Sequence, residues 1–466
     1  MKKLLRTTVL LACTSLTTNL YAQNKSNVIV IVADDAGYAD FGCYGGKEIP
    51  TPNIDQLAKN GVLFTDGYVS ASVCAPSRAG ILTGMYQQRF GFEHNISKKP
   101  VEGYTQQDVG MDPKIKTIGD QMKYNGYRTI AIGKWHQGDY EQYFPMNRGF
   151  DEFYGFVGGH RNFFGYKGKA PAPELVLYNN RNIVPENTIT YTTDMFTDKA
   201  ISFIKENKTK PFFMYLAYNA VHVPMNAKEE LMRKFSHITD PGRRAYAAMM
   251  VSLDDGVGQL VQNLKEQGLY DNTLIVFIND NGAATGNYAD NGKLRGLKGS
   301  KWEGGIRVAY IMQYPKHIPA GKIYHNMVSS LDILPTAVAA ANGKLIEGQP
   351  TDGVNLIPYL NNKVKGEPHK DLFWRRGIAA AVRSGNWKLI RSGDNPVLLF
   401  DLKKDISETT NLADKYPAKK KELLTKLENW ESTVDKPHWI SDYGDYNQIM
   451  KHRMEVKGRE MELKYP

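Results

Sequence analysis

The sequence predicts an α/β protein: a large mixed, mostly parallel sheet flanked by helices, followed by a smaller C-terminal α+β subdomain of antiparallel strands and a helix. Three observations carry this expectation. Apolar runs such as Asn27–Ala33 and Thr273–Asn279 are continuous and rich in β-branched residues. That is the pattern of strands buried on both faces of a parallel sheet. Helical patterns separate such runs over roughly 330 residues, the alternation of one α/β domain. After Asn361 the elements become short, strand-like and adjacent along the chain, as in an antiparallel unit.

Taken in order, residues 1–22 read as an export signal. Lys2, Lys3 and Arg6 precede a moderately apolar stretch, Val9–Leu20, and Ala22 is a small residue before Gln23. Leu10-Leu11-Ala12 ahead of Cys13 offers a lipoprotein alternative. Either places the chain outside the cytoplasm, periplasmic or secreted. Residues 23–365 form the large domain and 366–466 the C-terminal subdomain and tail. The strand Asn27–Ala33 stops at Asp34-Asp35-Ala36-Gly37. Thr51–Gly61 is a short helix, with Pro52 near its start and Gly61 at its end. Arg128–Ile132 and Pro211–Leu216 are further strands, and Thr193–Asn207 and Arg244–Gln267 are helical. The strand Thr273–Asn279 ends at Asp280-Asn281-Gly282. In the last part, Asp371–Arg375, Ala379–Arg383, Trp387–Arg391 and Val397–Leu402 are short strands, and Ala418–Thr433 is a Lys-rich helix. No element is assigned after Lys436.

Composition narrows the function classes. The chain has 466 residues, 42% apolar and 23% charged, with 27 Tyr and 6 Trp. This is ample for a core and excludes a disordered protein. Beyond the N-terminus no apolar run approaches the ~20 residues of a membrane span. Three cysteines are too few for a disulfide scaffold, although Cys43 and Cys74 are able to pair in an oxidising compartment. The net charge is +10, and about +7 once the signal is removed. A basic surface suits nucleic acid, anionic lipid or anionic polysaccharide. A long Lys/Arg run, zinc-finger spacing and an RNP-like strand are all missing, which argues against nucleic acid.

Chemistry concentrates at strand ends. Asp34-Asp35 and Asp280-Asn281 each follow an apolar strand, and sites in open α/β sheets form at the carboxyl ends of strands. Three carboxylates and an amide oxygen gathered there suit calcium or magnesium; either pair alone is also ordinary turn chemistry. In Ser72–Gly84, Pro76 fits the first turn of a helix and places Cys74 at its N-terminus. Arg78 follows one turn on, so a nucleophile, a cation and a helix N-terminus converge on an anionic ester. The same segment also fits a helix start with a buried structural cysteine. Lys134 and His136, two apart at a strand end, can face one side. His222 follows an apolar run, and Lys298, with Lys301 nearby, lies in a glycine-bounded loop.

Together these segments resemble the type I sulfatases, the formylglycine-dependent branch of the alkaline phosphatase superfamily. Cys74-Ala-Pro-Ser-Arg78, running to Thr83-Gly84, is similar to the family's C-x-P-S-R signature, and Gly126–His136 to its second signature. The two acidic pairs match the family's metal ligands in order and context. Ala381–Ile390, followed by Leu399–Leu402, resembles the family's C-terminal subdomain. The resemblance runs from about Asn27 to Thr433.

The resemblance implies a sulfate ester hydrolase with a sulfatase-like fold. Cys74 becomes Cα-formylglycine (3-oxoalanine) through a dedicated maturation enzyme, and its hydrate attacks sulfur. Calcium is held by Asp34, Asp35, Asp280, Asn281 and the residue-74 oxygen. Arg78 and Lys134 hold the hydrate, and His136 is the base that collapses the sulfated intermediate. His222 and Lys298 stand on the leaving-group side, and Lys298 is preferred over Lys301 because Gly296 and Gly299 flank it. The segment Arg148–Phe164 resembles one in bacterial carbohydrate sulfatases, including those of marine polysaccharide degraders. The expected partner is therefore a sulfated glycan, algal polysaccharide included, with His160 and Arg161 contacting the sugar or a second anion. Two alternatives stay open: a phosphonate or phosphodiester hydrolase of the same superfamily, and an unconverted protein that only binds anionic glycan.

Overall fold

The computed structural model describes residues 25–168 and 171–441. The export signal at 1–22, its Cys13 alternative and the chain after Ser441 lie outside the described residues. The large domain carries strands β1 (Asn27–Ala33), β2 (Val62–Phe64), β3 (Gly67–Tyr68), β4 (Arg128–Lys134), β5 (Glu152–Phe156), β6 (Tyr178–Asn179), β7 (Asn182–Ile183), β8 (Phe212–Ala217), β9 (Thr273–Asn279), β10 (Tyr310–Gln313), β11 (Lys322–Tyr324) and β12 (Val328–Ser329). The C-terminal unit adds β13 (Asp371–Arg376), β14 (Ala379–Ser384), β15 (Trp387–Ser392) and β16 (Leu398–Asp401).

Ten strands form one sheet in the order β11-β2-β10-β9-β1-β8-β4-β5-β6-β7. Its centre, from β9 to β5, is parallel. Antiparallel pairing enters through β10 on one side and β6 on the other. Every residue of β1 is buried. Alternation sends Val28, Val30 and Val32 into one core layer and Ile29, Ile31 and Ala33 into the other. Helices such as Thr192–Glu206 and Pro241–Glu266 cover the second layer. Asp240 caps the long helix, its carboxylate accepting from the Gly242 and Arg243 amides.

Register is what assembles a site from this sheet. Ala33 of β1 pairs with Asn279 of β9, so Asp34-Asp35 and Asp280-Asn281 emerge side by side. Gly133 of β4 pairs with Ala217 of β8, which brings the chain after Lys134 beside the segment leading to His222. Gly133 has φ 94°, and a Cβ there would meet the Ala217 carbonyl oxygen at 1.9 Å. Only glycine lets these two strands close up at this point.

The C-terminal strands form an antiparallel sheet, β13-β14-β15-β16. The helix Pro417–Glu431 covers one face with Leu423, Leu427 and Trp430. The other face packs Trp374, Ala381, Ile390 and Phe400 against Tyr68, Trp302 and Ile306 of the large domain. The chain after Lys436, to which the sequence assigned no element, returns to the large domain. Trp439 is fully buried there, and its indole N–H donates to the Asn95 carbonyl at 2.9 Å.

Candidate active site

The helix Cys74–Thr83 is buried along its whole length and ends at Gly84 in the left-handed conformation. Its N-terminus points Cys74 at the two aspartates after β1. The Sγ lies 3.5 Å from Asp34 Oδ1 and 3.8 Å from Asp35 Oδ1. Burial and the neighbouring Asp280 push the thiol far up and keep it protonated. Cys43 is also a free thiol in the structure, so the two cysteines are unpaired.

Four strand ends and two loops complete the cluster. Arg78 Nε donates to Asp280 Oδ2 at 2.9 Å, and its Nη2 lies 2.8 Å from that oxygen and 3.4 Å from Asp34. Lys134 Nζ donates to Asp34 Oδ2 at 2.6 Å. Lys298 Nζ donates to both oxygens of Asp35, at 2.7 and 2.8 Å. Lys301 donates instead to the Ser72 hydroxyl at 3.2 Å, which separates the two lysines the sequence left in competition. Asp35 and His136 both have positive φ, 62° and 58°. For residues that are not glycine this is a costly backbone state of the kind found at sites.

The carboxylates titrate apart. Burial would raise Asp34, but Lys134, His222 and Arg78 outweigh it and hold the acid well below the usual range. Asp280 is pushed up to about 6 by burial and by Asp34. Burial lowers His222 to about 4, and burial, with Lys134 and Arg78 adding to it, holds His136 well below the ordinary imidazole range. Both imidazoles are thus neutral near pH 7.

A hard cation fits here. One donor atom each from Asp34, Asp35, Cys74 and His222 lie within 4.8 Å of one another. Asn281 supplies a further sign: its Oδ1 is buried with no hydrogen-bond partner, while its Nδ2 donates to Asp35 Oδ1 at 2.7 Å. An orphaned amide oxygen beside three carboxylates is the donor set of a calcium-type site.

Residues invisible to the sequence reading support the cluster. Asn287 Nδ2 donates to the Asp35 and Val221 carbonyls, at 2.8 and 3.0 Å. Gln137 Nε2 donates to the Ala75 carbonyl at 3.0 Å, tying the His136 loop to the helix that begins at Cys74. Gln137 lies in a loop and Asn287 in the three-residue 3₁₀ turn Thr285–Asn287, both too short for any periodicity to mark them. Gly159 packs on His136: a Cβ there would sit 2.7 Å from Nε2.

The expectation for Arg161 is corrected. Its side chain is fully buried, bound to Glu186 at 3.2 Å and to the Leu175 carbonyl at 3.1 Å. It pins the loop and does not face a ligand. His160 is exposed, and its ring stacks 6.5 Å from that of His222.

Comparison with known proteins follows the same lines. The family model described as Sulfatase matches residues 26–343. The chain is similar to arylsulfatase J of Mus musculus, at 30% identity over 88% of this chain and 76% of that protein. It is similar to N-acetylgalactosamine-6-sulfatase of Homo sapiens, at 31% identity over 76% of this chain and 69% of the relative. Among solved structures, Ps i-CgsB in complex with k-i-k-neocarrahexaose superposes with a TM-score of 0.83. It is 39% identical, covering 91% of this chain and 96% of the other.

Proposed function

The chain belongs to the sulfatase family of sulfuric ester hydrolases, and from that premise we propose that it removes sulfate from a sulfated glycan, using residue 74 in its formylglycine form and a calcium ion. One observation carries the reading: the ends of β1, β4, β8 and β9 and the helix at Cys74 converge on one buried set of carboxylates, cations and an orphaned amide oxygen. When present, calcium supplies positive charge against the sulfate oxygens, and formylglycine supplies a hydrated aldehyde as nucleophile.

The chain's own residues divide the remaining work. Asp34, Asp35, Asp280 and Asn281 would hold the cation. Arg78 and Lys134 fix the orientation of residue 74 and neutralise charge that develops around it. His136, neutral and with Nδ1 unpartnered, accepts a proton from the residue-74 hydroxyl. Lys298 remains charged, since Asp35 outweighs the opposing effect of burial, and it faces the ester with His222. Lys298 is the donor to the departing alkoxide, and His222 hydrogen-bonds the ester oxygen. His160, stacked beside His222 at the open side, meets the sugar.

The ligand named for Ps i-CgsB, a neocarrahexaose, supports a polysaccharide-derived substrate, as does the name of the human relative. The basic charge and the signal-like N-terminus support an exported enzyme that meets anionic glycan outside the cytoplasm. The test is sulfate release after co-expression with a formylglycine-generating enzyme. Carrageenan oligosaccharides, N-acetylgalactosamine 6-sulfate and aryl sulfate are compared with a phosphate monoester and a diester. The reading expects a sulfated saccharide to be the best substrate by kcat/KM. A phosphodiester turned over faster than every sulfate ester overturns it.

A further inference from the structure

The chain that follows the C-terminal helix reaches back to residue 74 by a route that the proposed mechanism does not use. Trp439 is 0% exposed and packs on Phe92, with ring centroids 4.7 Å apart. Backbone hydrogen bonds lay its segment along residues 91–101. The His438 N–H donates to the Gly91 carbonyl, the Ile440 N–H to the Lys99 carbonyl and the Val101 N–H to the His438 carbonyl, each at 3.0 Å. The Ser97 hydroxyl donates to the Ile440 carbonyl at 2.6 Å. The Trp439 indole N–H donates at 2.9 Å to the carbonyl of Asn95, 344 positions earlier in the chain.

Asn95 in turn meets the start of the helix Cys74–Thr83. Its side-chain Oδ1 accepts from the Ala75 N–H at 3.1 Å. The first amides of a helix have no partner within it, and Val73, which precedes this one, supplies no side-chain cap. Pro76 has no N–H, and the Ser77 N–H donates to the Val73 carbonyl at 3.1 Å. Asn95 therefore provides, from another segment, the acceptor that a Ser, Asn or Asp at the N-cap ordinarily provides. On the other side of the same residue, Gln137 Nε2 donates to the Ala75 carbonyl at 3.0 Å. The residue after Cys74 is thus held at both its N–H and its C=O by side chains from outside the helix.

We infer that Asn95 is a positioning residue for residue 74, and that the C-terminal segment sets Asn95 through Trp439. The planar peptide that joins residues 74 and 75 carries the Ala75 N–H. The bond to Asn95 fixes that plane, and with it the direction in which the residue-74 side chain leaves the backbone toward the ester. Asn95 and Trp439 act through Ala75, and neither touches the reacting atoms. The catalytic consequence rests on the formylglycine reading above; the path of bonds from Trp439 to Ala75 does not.

The experiment pairs turnover with amide hydrogen exchange in the full chain, Asn95→Ala, Trp439→Phe and the double variant. Asn95→Ala removes the acceptor, and Trp439→Phe removes the indole donor while keeping a ring in the core. Turnover of the best sulfate ester is expressed per aldehyde-bearing molecule, counted by hydrazide labelling, so incomplete maturation does not enter. Asn95→Ala is expected to lower kcat by about tenfold or more with KM within about twofold. Trp439→Phe should lower kcat in the same sense, by about threefold, and the double variant should be no slower than Asn95→Ala, because both act along one path. Exchange of the Ala75 amide, read by fragmentation mass spectrometry, should quicken about fivefold or more in Asn95→Ala relative to the Leu82 amide of the same helix. An unchanged kcat in Asn95→Ala, multiplied losses in the double variant, or an Ala75 amide that exchanges at the wild-type rate overturns the inference. Exchange is also read on the unconverted thiol form. Absence of turnover by fully converted wild-type enzyme sinks the formylglycine reading, and the exchange rate then still decides whether Asn95 holds Ala75.

Discussion

Two buried charge networks in this molecule have the same inventory and different meanings. The first, at the strand ends, sets Asp34, Asp35 and Asp280 against Arg78, Lys134 and Lys298. The second, where the C-terminal sheet meets the large domain, sets Asp66, Glu303 and Glu408 against Arg307, Arg383 and Lys388. In the second, Lys388 lies 2.8 Å from both Glu303 and Glu408, Arg307 bridges Asp66 and Glu303 at 3.0 and 3.2 Å, and Arg383 meets Asp66 at 2.7 Å. Tyr68 donates to Glu303 at 2.6 Å and accepts from Arg383. Both networks move their acids strongly. Asp280 rises to about 6, and Glu408 is pushed up to about 7 by burial while Lys388 and Arg307 draw Glu303 down to about 2. Burial, pairing and perturbed titration therefore fail to tell a site from a strut. Unused chemistry tells them apart. Only the first network gathers a nucleophilic residue, two neutral imidazoles and an orphaned amide oxygen.

That contrast is open to experiment, and the largest effect is expected at the nucleophile. Cys74→Ala should lower kcat by about 10⁴-fold or more, the scale seen when a covalent nucleophile is removed. Its unfolding midpoint should stay close to wild type, because the thiol bonds only weakly to its neighbours. The second network should respond the opposite way. Lys388→Met leaves Glu303 and Glu408 buried around a lost cation, which costs about 3–5 kcal/mol. Denaturant unfolding should show that loss, with kcat per folded molecule retained. A Lys388→Met protein that is stable but inactive would make the second network part of the site.

Lys298→Met sharpens the same line from the catalytic side. It should cost about 10²–10³ in kcat/KM per folded molecule, and, because it leaves the buried Asp35 without its lysine, it should also lower the unfolding midpoint. Gly159→Ala is a finer probe: the added methyl crowds His136, and a displaced base should lower kcat by about tenfold or more with KM nearly unchanged.

How much of this contrast was legible in the sequence depends on the element. β1 and β9 match their expected limits, because uninterrupted β-branched runs bounded by Asp and Gly leave little freedom. Asp34, Asp35, Asp280 and Asn281 stand on such boundaries, so they were legible as types. Their convergence was not: it depends on the pairing of Ala33 with Asn279 and of Gly133 with Ala217, which no local pattern encodes. Arg161 misled because a charged residue in an aromatic loop reads as exposed, whereas Glu186 lies 25 positions away and buries it. Trp439 went unread because its polar neighbours hide a lone anchor. The second network left no trace, since Glu303 and Glu408 are ordinary surface residues until β15 brings Lys388 between them.

The smallest expected effect is a pH dependence within that second network. Glu408 titrates at about 7 in the fold against an ordinary 4.5. The folded state therefore holds its proton more tightly. The stability this contributes is fully present below pH 4.5 and is lost as pH rises through about 7. Glu303 acts in the reverse sense: its contribution is present above 4.5 and lost as pH falls toward 2. Glu408→Gln should remove the decline between pH 4.5 and 7, visible as a flatter urea midpoint against pH.

The central claim is that residue 74 works as formylglycine, and it is tested most directly by mass. Trypsin cleaving after Lys59 and Arg78 releases Asn60–Arg78, which contains Cys74. From protein co-expressed with a formylglycine-generating enzyme, the account predicts an aldehyde peptide about 18 Da lighter than the thiol form, reactive toward a hydrazide. A peptide recovered wholly as alkylatable thiol, while the same enzyme converts a control substrate, contradicts it.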